Sequence, residues 1–293
     1  MSEAATHTRD RGDLCPGVLR PWPAADGALV RLRLVGGALS PAALWGLLDI
    51  AEGHGDGRVH LTRRANIQLR ALPAVDGVLE AQVVDRISAT GLLPVPSHEL
   101  VRNIMVSPLS GRHGGRLDLY PLAHQLDAGL CADPHLAGLS ARFLFVLDDG
   151  RGDVITRSSD LALLVLDEDL AQLRLGDQWG PVLPVDQAVP ALLDHARAFV
   201  DARGTGPEAP WHIRELTEPL HPAVAPPAGT AAVLASPAAA LPAGPVAAGV
   251  NHHLVPDGLL DRALAEQILA SGPDGAGPVS LRVTPWRSVL TLR

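Results

Sequence analysis

One pattern constrains the fold of this chain more than any other, because it occurs twice. Ala28 to Val35 alternates, placing Val30, Leu32 and Leu34 on one side and Arg31 and Arg33 on the other, as in a half-buried strand. Ser40 then caps a helix with Pro41 at its first position. Leu44, Leu47, Leu48 and Ala51 follow at helical spacing until Gly53. After a turn through Gly57, two short strands flank Thr62 to Asn66, and Val78, Leu79, Val83 and Ile87 predict a second helix over Val75 to Ala89. The end of the chain repeats this. Val250 to Val255 reads as a strand, Pro256 to Ser271 as a helix buried through Leu259, Leu260, Ala263, Leu264 and Ile268, and Val279 to Arg293 as two strands. Thr62 lies 32 residues after Val30 and Thr284 lies 34 after Val250, so similar elements surround a shared threonine at nearly equal spacing.

The order β-α-β-β-α-β is that of a ferredoxin-like split βαβ unit, and the duplication predicts two such half-domains, the second stopping part-way. Beyond Pro94 the signals change to a helix near Pro121 to Leu130, strands near Arg142 to Leu147 and Leu161 to Leu166, and a helix near Val185 to Ala202. The predicted class is α+β: a half-domain over 13–95, an α/β region over 96–203, a Pro/Ala-rich linker over 204–249 and an incomplete half-domain over 250–293.

Composition removes several classes of function. All 24 basic residues are arginine, which excludes a Schiff-base lysine and the P-loop lysine and leaves a supply of forked carboxylate donors. A net charge of -8 argues against a broad nucleic-acid surface. Gly229 to Val250 carries no charge, but Pro237, Pro242 and Pro245 break it into a linker rather than a membrane helix. Met1 to Asp13 has no apolar signal core, so the expected compartment is the cytoplasm. Cys15 and Cys131 are too few for a disulfide scaffold or a four-thiolate metal site. His113, His124, His252 and His253 are scattered, and no metal is assigned to them.

Leu61 to Arg70 concentrates three arginines, Arg63, Arg64 and Arg70, on a short strand-turn-strand. Such guanidiniums repel one another unless anions lie between them, which points to an anionic ligand. A solvated edge strand whose charges block aggregation is the competing reading.

Three motifs carry a resemblance. Thr62, Arg64 and Gln68 form Thr-x-Arg-x-x-x-Gln, Arg102-Asn103 opens the next region, and Ala141 to Phe145 places Arg142 and Leu144 where two lysines stand in sulfite and nitrite reductases. The chain resembles that family. Leu14 to Gly17, Asp26-Gly27, Asn103 to Gly111 and Leu281 to Ser288 are similar to its cobalamin-pathway branch, the precorrin-3B synthases. The resemblance implies oxygen-dependent hydroxylation and lactone formation on precorrin-3A, a tetrapyrrole rich in carboxylates. It further implies a [4Fe-4S] cluster, an iron and an electron donor. The implied ligand contacts are Thr62, Arg64, Gln68, Arg70, Arg102, Asn103, Arg142, Trp286 and Arg287, with the ligand the substrate or a siroheme-like group and no catalytic residue assigned. The family's cluster cysteines lie beyond the Thr-Pro-Trp-Arg strand, past which this chain has none; their supply by a separate polypeptide is one reading, a natural end, a frameshift and a split gene all being open. A cluster-free remnant that binds a tetrapyrrole or a partner is the alternative, and a sulfite or nitrite reductase fragment is a further one.

Overall fold

The computed structural model describes residues 13–226, 240–270 and 280–293, so the start of the chain, the middle of the expected linker and the end of the last expected helix lie outside the described residues. The first repeat comprises β1 (Trp22–Ala24), β2 (Gly27–Leu32), β3 (Ala38–Leu39), α1 (Pro41–His54), β4 (Val59–Leu61), β5 (Ile67–Leu72), β6 (Ala74–Val75), β7 (Val78–Leu79) and α2 (Ala81–Ala89). Ser40 Oγ accepts from Ala43 N at 3.0 Å and Pro41 follows it, so α1 starts where its cap dictates. It runs on to His54, with Gly55 rather than Gly53 as the stop. The expected helix over Val75 to Ala89 is shorter, because Asp76 and Gly77 both adopt positive φ and turn β6 into β7 before α2 begins.

The middle region contributes β8 (Ile104–Val106), α3 (Tyr120–Ala132), β9 (Phe145–Asp148), β10 (Leu161–Val165), β11 (Leu170–Leu175), β12 (Gln178–Pro184) and α4 (Ala188–Arg203). Its sheet runs β12-β11-β10-β9-β8, parallel from β8 through β10 and antiparallel beyond. All five residues of β10 are buried, because α3 and α4 share a core with one face while Met105, Leu144, Val146, Val154 and Ile155 pack on the other. The strand expected from Arg142 begins at Phe145, since Ser140 to Phe143 closes a turn through the bond from Phe143 N to Ser140 O.

The second repeat holds β13 (Gly244–Ala247), β14 (Val250–Leu254), β15 (Leu259–Leu260), α5 (Arg262–Ala270), β16 (Ser280–Val283) and β17 (Ser288–Leu292). The helix expected from Pro256 starts at Arg262, because Asp257 and Gly258 are left-handed and lead into β15. The duplication is reproduced in backbone detail. Gly36-Gly37 and Asp257-Gly258 make the same left-handed turn before β3 and β15, and Ala65 (φ 55°) matches Arg287 (φ 59°).

The two repeats also exchange strands. The outer sheets run β1-β2-β5-β4-β15 and β13-β14-β17-β16-β3, so each is completed by a two-residue strand from the other repeat. Leu259 and Leu260 pair with His60 and Val59, just as Ala38 and Leu39 pair with Arg282 and Leu281. The sequence pattern placed a closing strand after α2, and the structure fills that edge with β15 instead. One core follows from the exchange, in which Leu47, Ile67 and Leu69 lie in the same cluster as Leu260, Ile268 and Val289. Each fully buried aliphatic side chain there stabilises the fold by about 1.5–3 kcal/mol, and the contribution is common to both repeats.

Candidate functional site

The turn between β4 and β5 is built by Thr62. Thr62 N donates to Asn66 O at 2.9 Å, Ala65 N donates to Thr62 O at 3.1 Å, and Thr62 Oγ1 accepts from Arg64 N at 3.3 Å and Asn66 N at 3.1 Å. Thr62 therefore shapes the loop that projects Arg64. Asn66, 1% exposed, accepts from Leu34 N at 2.9 Å and donates to Asn103 Oδ1 at 3.3 Å. Asn103 Nδ2 in turn donates to Leu100 O and Ala141 O, both at 3.1 Å. The three motifs, far apart in sequence, thus meet through buried amides, and Arg64 Nη1 closes the ring on the Arg142 carbonyl at 2.9 Å.

Around this junction guanidiniums gather. Arg31 lies opposite Gln68 in the β2–β5 register, and the Gln68 amide, oriented with its oxygen toward Arg31, accepts from Nε at 3.1 Å and Nη2 at 2.6 Å. Arg33, 2% exposed, donates to Pro16 O at 2.7 Å and Arg31 O at 2.9 Å, while its Nε and Nη2 have no acceptor among the described residues. Burial first, then repulsion from Arg31, pushes Arg33 down to about 10. Burial likewise lowers Arg31 and Arg64, and repulsion from Arg142 lowers each further. Arg142 stacks 4.6 Å from the Trp211 ring centroid.

Asp13 is the carboxylate set among these cations. Burial raises its pKa, but the N–H of Cys15, the Ser140 hydroxyl and Arg142, at 3.7 Å, together hold it below the usual carboxylate range. A strap over residues 13–20 carries it. Glu99 fixes the strap by accepting from Val18 N and Leu19 N. Beneath the strap is a cavity of about 390 Å³ lined by Leu14, Cys15, Pro16, Trp22, Arg31, Arg142 and Trp211.

The remaining expected contacts lie elsewhere. Arg70 stands on β5 four residues beyond Asn66, ~13 Å from the turn at ~3.3 Å per residue, and is paired with Asp26 at 3.3 Å. Arg102 is buried in a bidentate pair with Asp127 at 2.7 and 2.8 Å. Arg287 donates to Asp257 O at 2.9 Å, and Trp286 lies beside Arg157 rather than Arg142. Asn103 is a buried brace rather than a cavity wall. Arg31, Arg33, Asn66 and Asp13 were not singled out from sequence, although the two arginines alternate on the same strand face that Gln68 meets.

An iron-sulfur cluster requires four thiolates. Cys15 lies buried beside Asp13, and burial followed by that carboxylate raises its pKa. Cys131 lies on α3, where Arg102 and Asp127 act on it. With two thiols in separate surroundings, the residues present do not fit a cluster, and among the described residues no group of three or more His, Cys, Asp or Glu side chains could hold a metal ion. His252 has both ring nitrogens engaged, one with Pro242 O and one with Ser288 Oγ. No helix among the described residues is long and apolar enough to cross a membrane.

Comparison with known proteins agrees with this geometry. Residues 23–81 match the family described as Nitrite/Sulfite reductase ferredoxin-like half domain. A precorrin-3B synthase from Sinorhizobium sp. is 30% identical over 152 residues, which cover 50% of this chain and 31% of that relative. The NirA protein of Mycobacterium tuberculosis superposes with a TM-score of 0.66 at 18% identity, over 90% of this chain and 53% of its own. The chain therefore has the mixed α/β fold of NirA, carries a nitrite/sulfite reductase ferredoxin-like half domain, and is similar to a precorrin-3B synthase over half its length.

Proposed function

We propose that this chain binds a polycarboxylate tetrapyrrole as a precorrin-3B synthase-like oxidoreductase, with precorrin-3A as the substrate. The observation that carries this reading is the pair Arg31 and Arg142 on the wall of one cavity, with Asp13 beside Arg142 and the guanidiniums of Arg33 and Arg64 close enough to repel them. Mutual repulsion and burial make this arrangement costly unless an anion occupies it. Carboxylate arms satisfy forked donors in bidentate fashion, and Trp22 and Trp211 supply apolar surface next to them. At about 390 Å³ the cavity is sized for a carboxylate-bearing edge of the macrocycle, not its whole body.

The residues of this chain bind and orient such a ligand. Arg31 and Arg142 line the cavity, Arg64 reaches from the Thr62 turn to the Arg142 carbonyl, and the strap covers Arg33. Oxygen insertion and lactone closure are redox chemistry that side chains alone do not perform, so a redox centre and an electron donor complete the proposed enzyme. Tetrapyrrole binding without turnover is the second reading, favoured by the separate settings of Cys15 and Cys131.

Titration with uroporphyrin, followed by porphyrin fluorescence, tests the binding. The affinity is expected to fall with ionic strength and to drop roughly tenfold or more in Arg31→Gln and in Arg142→Gln, the scale of a lost charge-assisted hydrogen bond. Wild-type affinity in both variants sinks the proposal. Visible absorbance of anaerobically purified protein separates the two readings: a cluster chromophore contradicts binding without turnover and requires thiolates from another polypeptide.

A further inference from the structure

Between the two duplicated turns stands an arginine that belongs to neither repeat. Arg157 comes from the loop joining β9 to β10, and its Nη1 donates to the Arg63 carbonyl of the first turn at 3.5 Å. Its guanidinium also lies 5.7 Å from the ring centroid of Trp286, the residue that occupies in the second turn the position Arg64 holds in the first. A single side chain of the middle region thus bears on both turns.

The hydrogen-bonding capacity of Arg157 is poorly used. A guanidinium offers five N–H donors, yet Nε is buried with no acceptor among the described residues and the bond to Arg63 is long. Burial lowers its pKa, while Asp153 pulls it back up and Arg63 lowers it further. Leaving a buried cationic donor unmet opposes folding. A carboxylate meeting Nε and the neighbouring Nη together matches the planar fork, and the indole of Trp286 offers an adjacent flat surface.

We propose that Arg157, flanked by Trp286, is a second carboxylate-binding subsite, which takes a different arm of the ligand held at Arg31 and Arg142. This inference rests on the tetrapyrrole reading. The two subsites adjoin the same Thr62–Asn66 turn, one through the Arg63 carbonyl and the other through the Arg64 side chain. A ligand with carboxylates around its rim engages both at once, and the second contact gains from the high effective concentration that the first creates.

The test is uroporphyrin titration of the full chain at several ionic strengths, alongside urea unfolding. Arg157→Gln is expected to weaken binding by roughly tenfold and to flatten its salt dependence, with Arg157→Lys intermediate and the unfolding midpoint not lowered. If Arg157→Gln binds as wild type while Arg31→Gln is weakened, the subsite is wrong and the cavity reading stands. If the wild-type chain binds no uroporphyrin, the tetrapyrrole reading fails and takes the subsite with it. If Arg157→Gln lowers the unfolding midpoint and weakens binding without altering its salt dependence, Arg157 only braces the two turns, and the proposal is overturned.

Discussion

Replacing Asn103 by alanine removes three hydrogen bonds from a side chain that is 1% exposed. The Leu100 and Ala141 carbonyls lose their side-chain donor, and Asn66 loses the acceptor of its amide, keeping only its bond from Leu34 N. A buried polar group left unpaired costs about 1–3 kcal/mol. With partial relaxation at three groups, the expected loss is roughly 3–5 kcal/mol, a large share of the 5–15 kcal/mol typical of a folded domain. Urea unfolding with matched slopes measures it. Arg70→Ala is the comparison: its pair with Asp26 is 37% and 45% exposed, and surface pairs contribute no more than about 1 kcal/mol. Because Ala141 O precedes Arg142 in the chain, uroporphyrin affinity is also expected to fall in Asn103→Ala at temperatures where the variant is fully folded. An unfolding free energy within about 1 kcal/mol of wild type refutes the claim that this amide holds the three motifs together.

Asp153 is raised to about 7, first by burial and then by Asp148. A folded value above the unfolded one favours the protonated carboxyl in the fold, so stability is greatest below pH ~4 and falls as pH rises to about 7, by on the order of 2–4 kcal/mol. Asp153→Asn keeps an acceptor for Ser107 Oγ, which donates to Asp153 at 2.6 Å, and is expected to flatten that fall; parallel pH profiles for variant and wild type count against it. Gly37→Ala places a Cβ on the Val283 carbonyl at φ +75°, and Gly258→Ala sets one 3.1 Å from Leu61 O at φ +73°. The left-handed penalty alone is about 1–2 kcal/mol, so both lower the urea midpoint, Gly37→Ala further because its Cβ falls much closer to a backbone oxygen. Arg102→Ala strands Asp127, whose side chain is 17% exposed, and is expected to cost roughly 3 kcal/mol in the same assay, whereas an ordinary surface pair costs under about 1.

The elements of both repeats were legible in sequence because strand alternation, the Ser40-Pro41 cap and the paired threonines are local signals. Asp76-Gly77 and Asp257-Gly258 were equally local but lay inside apolar runs that satisfy a helical period, so the turns were absorbed into helices that begin later. The exchange of β3 and β15 had no such signal. Two-residue strands carry no periodicity, and their partners stand some 200 positions away in the chain. At the site, Arg64, Gln68 and Arg142 could be found because they stand in recognisable motifs, whereas Arg31 and Arg33 read as the solvated side of a half-buried strand. What covers Arg33 is the strap over residues 13–20, and nothing in the alternation of β2 announces a cover pinned by Glu99, 80 residues along the chain from Leu19.

The duplication preserves a backbone while its two copies divide the chemistry. Thr62 and Thr284 cap their turns alike, and Ala65 and Arg287 share the left-handed bend. At the next position the copies part. Asn66 reaches outward to Leu34 and Asn103, tying the first turn to the middle region. Ser288 instead closes inward, on His252 Nε2 at 2.7 Å and Thr284 Oγ1 at 2.5 Å, so at this position the second turn is tied within its own repeat. The first turn presents Arg64 and the second Trp286, one a guanidinium that donates hydrogen bonds and the other a flat apolar face. Because each outer sheet is completed by a strand of the other repeat, neither turn can shift without breaking the β3–β16 or β4–β15 pairing. The spacing between a charged contact and an aromatic one is thus set by backbone hydrogen bonds rather than by loops. A rigid, wide ligand such as a macrocycle rewards that fixed spacing, since little conformational entropy is left for binding to remove.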